Sequence, residues 1–130
     1  MGGIHSTFYI YYLRRYTTMP FINTKVNVSL SKEQEQTLKT QFGQAISLIG
    51  KSEPWLMLNF DDNCKLWFKG SDSPAAIAEV SLYGKASPSA YDALTARLTD
   101  ILAAVLNIAP NRIYVKYSEI EYWGLGGSNF

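Results

Sequence analysis

From residue 21 onward, apolar and polar positions fall into two similar rounds. Phe21–Val28 (FINTKVNV) alternates with a period of two and predicts a strand. Ser31 is placed to cap a helix, with Gln34 as the second half of a capping box. Leu38, Phe42, Ala45, Ile46 and Ile49 then form one apolar stripe at helical spacing, and Gly50 stops the helix. Trp55–Phe60 predicts an apolar strand. The turn Asp61–Cys64 leads to a short strand, Lys65–Phe68, and a loop over Lys69–Pro74 precedes a strand from Ala75 to Tyr83. The second round repeats the layout. Ser87 caps a helix with Pro88 at its first position, and Tyr91, Leu94, Leu98, Ile101, Leu102 and Val105 make its apolar face. Asn107 ends it, Pro110-Asn111 turns the chain, and Ile113–Tyr117 predicts a last strand before a Gly-rich tail, Trp123–Phe130.

Two halves of like length and order suggest a duplicated βαβ unit. One apolar stripe per helix lets both helices cover the same sheet face. The expected fold is therefore α/β, an α+β two-layer sandwich with a four-stranded sheet and two helices on one face. Its other sheet face is left without a helix although the strands carry many apolar residues, which implies a partner subunit.

Composition narrows the chemistry. With 130 residues, 47% apolar and 18% charged, the chain suits one globular domain. No apolar run approaches the roughly 20 residues of a membrane helix. A net charge of +1 gives no general reason to seek nucleic acid or anionic lipid. The single cysteine, Cys64, is either a reactive thiol or a small side chain in its turn, and no internal disulfide is possible. His5 is the only histidine, which excludes mechanisms built on a His pair, a triad or a zinc cluster.

Residues 1–18 (MGGIHSTFYIYYLRRYTT) stand outside this pattern. Arg14 and Arg15 follow the apolar stretch Phe8–Leu13 instead of preceding it, unlike a signal peptide. Three explanations are open: a misassigned start codon, a leader that is removed, or an added strand. The domain itself is expected over 19–130. Translation from Met19 followed by methionine removal would make Pro20 the amino terminus.

In order and spacing, PFINTKVNV, LIGKSEPWLML, LWFKGSDSPAA, VSLYGKAS, IAPNRIYVKY and WGLGGSNF resemble the macrophage migration inhibitory factor branch of the tautomerase superfamily. The resemblance spans Pro20 to Phe130. It implies a homotrimer with active sites at subunit boundaries, no cofactor and no metal, and keto–enol tautomerisation of phenylpyruvate-like aryl keto acids by the amine of Pro20. It also implies a protein that is cytoplasmic or secreted without a signal peptide, with a protein receptor as a further partner. Nucleic acid and membrane are not expected partners.

Enolisation needs a base beside an acidic C–H and positive charge near the oxygen that gains electrons. A buried amine near a cation is held unprotonated at neutral pH, and the proline ring fixes its lone pair. The ordinary alternative is that Pro20 merely starts a strand. A prolyl nitrogen inside a peptide bond has no basicity, so the chemistry requires a free terminus.

By resemblance, Lys51 binds the substrate carboxylate; otherwise it is a cation at a helix end. Tyr83 stands where the family's backbone contacts substrate. Tyr114 matches a tyrosine that lines the pocket from the neighbouring subunit, or else it is ordinary sheet packing. Lys116 replaces an asparagine of animal members, and either adds a second cation for a dianionic substrate or faces solvent. Trp55, Trp123 and Leu125 fall at pocket-wall positions, Leu125 in place of an aromatic residue. Ala75-Ala76-Ile77-Ala78 replaces the Cys-x-x-Cys of some animal members, so no thiol–disulfide exchange of that type is expected. Two other classes compete: a binding protein with a vestigial site, and a ferredoxin-like RNA-binding domain, which the neutral charge and missing RNP motif disfavour.

Overall fold

The computed structural model describes residues 19–130. The proposed extension, with His5 and Phe8–Leu13, lies outside the described residues. Both helices form where the sequence supplies their ends. Ser31 Oγ accepts from Gln34 N–H and the Gln34 side chain returns to Ser31 N–H, which starts α1, Lys32–Ala45. A 3-10 turn over Ile46–Ile49 tightens its end, and Gly50 stops it in the left-handed region at φ 73°. Ser87 caps α2, Pro88–Leu106, and Asn107 closes it with φ 55°, a conformation that asparagine tolerates.

The strands are β1, Pro20–Val26; β2, Met57–Asp61; β3, Ala76–Tyr83; and β4, Ile113–Ile120. They lie in the order β2-β1-β3-β4, giving a mixed sheet. β1–α1–β2 and β3–α2–β4 are two parallel βαβ units, joined by antiparallel pairing of β1 with β3. The expected duplication and two-layer fold are present. Ile22, Val26, Ala78, Val80 and Leu82 meet Leu38, Phe42, Ile46, Leu94, Leu98 and Leu102 in one core. No helix among the described residues is long and apolar enough to cross a membrane.

Several boundaries differ from the sequence expectation. β1 begins at Pro20 and stops at Val26. Trp55 belongs to a 3-10 turn, Glu53–Trp55, seeded by Pro54, so β2 begins only at Met57. Lys65–Phe68 is not a strand beyond a single bridge from Phe68 to Ser71. Side chains hold that loop instead of a neighbouring strand: Asn27 Nδ2 donates to the carbonyls of Leu66, Asp72 and Ser73. β4 runs three residues further than expected. The tail folds into a hairpin, β5 (Gly124–Leu125) and β6 (Ser128–Asn129), turning through Gly126 and Gly127 at φ 63° and 104°.

The sheet face that no helix covers among the described residues also corrects an expectation. Its rim is apolar, with Phe21, Met57, Ile77 and Tyr114, but its centre is polar. Asn59 Nδ2 donates to Asn23 Oδ1 at 2.8 Å, and Lys116 pairs with Glu79 at 3.2 Å, with Lys25 on the same carboxylate at 3.5 Å. Most apolar strand residues point under the helices.

Among the described residues, one buried side-chain polar atom lacks a partner: the Thr24 hydroxyl, on the helix-facing side of β1. Leaving a hydroxyl unbonded in an apolar core costs about 1–3 kcal/mol. Thr24→Val keeps the shape, and we expect it to raise the thermal midpoint by several degrees; a lower midpoint in a calorimetric scan would contradict this.

Candidate active site

The sheet register gathers the candidate residues at one end. Pro20 opens the central strand β1, is buried, and lies opposite Leu82 of β3. One step back, the Met19 carbonyl accepts a hydrogen bond from Tyr83 N–H at 3.1 Å, and Met19 is only 4% exposed. The residue before Pro20 is thus stitched into the β1–β3 ladder. β2 runs parallel to β1 with Met57 facing Phe21, so the segment entering β2, with Lys51 and Trp55, sits at this same end. β4 leaves the sheet here too, since Ile120 pairs with Tyr83. The tail hairpin returns Phe130 N–H to the Trp123 carbonyl at 3.0 Å and its ring toward Tyr83, with centroids 6.1 Å apart.

Lys51 carries the electrostatics of this end. The Gly50 turn tucks it back, with its N–H donating to the Ile46 carbonyl. The residue is 8% exposed, and burial lowers its pKa from 10.5 to about 8. Among the described residues no carboxylate pairs with it. A dehydrated cation without a counter-ion gains by meeting an anion.

Not every expected residue comes to this end. Tyr114 faces Ile77, which faces Lys25, five residues down β1 from Pro20. At about 3.3 Å per residue, the two are roughly 16 Å apart along the strands. Tyr114 is 59% exposed, and its ring rests on Phe68. Lys116 sits midway on the open face and is tied to Glu79. Burial opposes ionisation of Glu79, but the hydrogen bond from Lys116 and the charge of Lys25 outweigh it and hold the carboxyl below its ordinary value. Leu125 is exposed on the hairpin, and Trp55 stands half out of its turn. Cys64 is half-buried in its turn, its thiol near the Asp61 carbonyl at 3.4 Å.

A profile described as macrophage migration inhibitory factor (MIF) matches residues 19–130. The chain belongs to the macrophage migration inhibitory factor family. Among MIF relatives, macrophage migration inhibitory factor of Meriones unguiculatus is 27% identical over 114 residues, covering 86% of this chain and 99% of its own length. The crystal structure of Leishmania major MIF2 matches with TM-score 0.82 and 34% identity over 86% of this chain and 97% of that one. The fold also extends, at 18% identity and TM-score 0.74, to a fused 4-OT described as an asymmetric trimer, covering 84% of this chain and 94% of that one. The MIF fold is that of the tautomerase superfamily, as the motifs suggested.

Reasoning from the sequence missed three features. It did not see the Met19–Tyr83 hydrogen bond, the polar row across the open face, or the contact between Phe68 and Tyr114. Each depends on strand register or on a loop anchored by distant side chains, and the chain's periodicity carries no signal for them.

Proposed function

We propose that this MIF-family chain, once Pro20 is its first residue, is a keto–enol tautomerase acting on aryl 2-keto acids of the phenylpyruvate type. The single observation that carries the reading is Lys51, a buried lysine with no carboxylate partner among the described residues, at the same end of the sheet as Pro20. It suits a substrate carboxylate, and its charge favours the neutral form of an amine nearby. In the ketonising direction a protonated Pro20 gives its proton to the benzylic carbon, and the enol hydroxyl proton leaves to solvent. In reverse, the free amine takes the benzylic proton and the enolate oxygen is protonated. Electrons balance within the substrate, so no cofactor enters. Tyr83 N–H, which holds the Met19 carbonyl in the longer chain, becomes a free donor for a substrate oxygen once Met19 is gone. Trp55 and Trp123 supply apolar wall, and Leu125 widens it.

The working unit in this reading is a homotrimer. Tyr114 lies too far from Pro20 to serve its own chain's site, and a neighbouring copy would bring it to the seam. Residues 1–18 are then no part of the catalytic domain. The test is turnover by protein whose first residue is Pro20, followed by the loss of enol absorbance of phenylpyruvate. Exchange at the benzylic carbon no faster than in buffer would refute it.

One observation favours a second reading. While Met19 remains, the Pro20 nitrogen is an amide and Tyr83 N–H is occupied, so the unprocessed chain is a MIF-like binding protein with a blocked site. Its partner would be a protein receptor.

A further inference from the structure

We infer that Phe68, held in place by Arg112, is the positioning residue for the Tyr114 ring, and that it thereby sets the preference of the neighbouring copy's site for aryl over aliphatic keto acids. The specificity half of this inference rests on the tautomerase reading; the positioning half does not.

Tyr114 is the second residue of β4, lies on the open face and is exposed. Nothing in the strand alone fixes such a ring, because an exposed tyrosine on a sheet has more than one common rotamer. Among the described residues it has one aromatic neighbour: Phe68, with centroids 4.7 Å apart and planes at 74°, an edge-to-face pair.

Phe68 is not part of the sheet, so its own position needs a cause. It heads a tight reversal in which Lys69 and Gly70 both take positive φ, 54° and 72°, closed by reciprocal backbone hydrogen bonds with Ser71. Arg112 fastens this reversal to the entrance of β4. Its guanidinium donates to the carbonyls of Phe68 at 2.9 Å and of Ser71, Ser73 and Pro74 at 3.0 Å each. The same group lies 5.5 Å from the centre of the Phe68 ring. Asn27 secures the other side, its Oδ1 accepting from Ala75 N–H at 2.7 Å. Arg112 therefore precedes Tyr114 by two residues and fixes, through a loop about forty residues earlier in the chain, the surface on which the Tyr114 ring rests.

In a trimer the ring so fixed meets an aryl substrate side chain beside the neighbour's Pro20. Holding it in one orientation before the substrate arrives lowers the ordering cost of binding. The effect falls on binding common to ground and transition states, so it is read in KM and not in kcat.

The experiment uses protein beginning at Pro20, with wild type, Phe68→Leu, Phe68→Tyr and Arg112→Lys compared on phenylpyruvate and on an aliphatic 2-keto acid. For Phe68→Leu we expect KM for phenylpyruvate to rise roughly two- to tenfold, the range that an edge-to-face pair supports, with kcat and the aliphatic substrate unchanged. Phe68→Tyr keeps the ring and should restore wild-type values, while Arg112→Lys, which loses the guanidinium fork, should follow Phe68→Leu. In proton NMR the Tyr114 ring signals, displaced by the Phe68 ring current, should move toward free-tyrosine positions in Phe68→Leu at unchanged thermal midpoint. Unmoved Tyr114 signals overturn the positioning, and equal losses on both substrates overturn the specificity. If the wild type turns over neither acid, the function proposal fails and the specificity claim with it, and the NMR shift alone decides the positioning.

Discussion

Protein that retains Met19 should be without tautomerase activity even though its fold is intact. Two causes act together. The Pro20 nitrogen is then acylated, its lone pair delocalised into the peptide bond, with no proton to take or give. The Met19 carbonyl also accepts from Tyr83 N–H at 3.1 Å, and Met19 is itself buried. General acid–base catalysis supplies roughly 10²–10⁴ in rate, and all of it should be lost. Pro20→Gly in processed protein keeps an amine but loses the ring that aims it, so turnover should fall by about 10²-fold. The pH profile separates the two proteins. In the processed enzyme the rate of enolisation, where the free amine is the base, should rise with pH through a group titrating below the ordinary amine value of about 8, since burial and the nearby Lys51 both oppose an ammonium at Pro20. The Met19-retaining protein should show no such step. Mass spectrometry fixes which species is assayed, and full turnover with Met19 in place would remove Pro20 as the base.

Legibility of the chain follows the range of the forces involved. Helix ends were readable because caps act over three or four residues: Ser31 with Gln34, Ser87 with Pro88, Gly50 and Asn107 all close their helices as the sequence predicts. The core stripes of α1 and α2 were readable from period alone. Lys65–Phe68 looked like a strand because Leu66, Trp67 and Phe68 are β-prone, but its carbonyls are claimed by Asn27 and Arg112, some forty residues away on either side. The open face looked apolar because strand composition does not say which side a residue takes. Register puts Asn59, Asn23, Glu79 and Lys116 in one row across all four strands. That row is internally paired, so the face can meet another copy without stranding most of its charge. Pro20, Lys51 and Tyr83 were suggested by motif, not by pattern, and only the register shows that they share an end of the sheet while Tyr114 does not.

Replacing Lys51 with methionine should move stability and substrate affinity in opposite directions. In the folded chain the Lys51 ammonium titrates at about 8, and in the unfolded chain near 10.5. Between those values the unfolded state binds the extra proton, so stability rises with pH across the window; below about 8 both states are protonated and the burial penalty is constant. Lys51→Met removes the penalty and should stabilise the protein at pH 7 by about 1–3 kcal/mol, with the rise between pH 8 and 10.5 flattened. An aryl keto acid is an anion throughout this range and needs the charged lysine. Its KM should therefore be flat below pH 8 and climb about tenfold per pH unit above it in the wild type. In Lys51→Met the KM should be raised at pH 7 by roughly 30-fold or more, the cost of losing one partner of a buried charge pair, and should no longer vary with pH. Chemical denaturation and a KM–pH series measure the two effects on the same samples. A buried cation that merely ends a helix would give the first effect without the second. A variant that loses stability and keeps its KM would show that Lys51 serves the fold and leave the substrate carboxylate without a partner here.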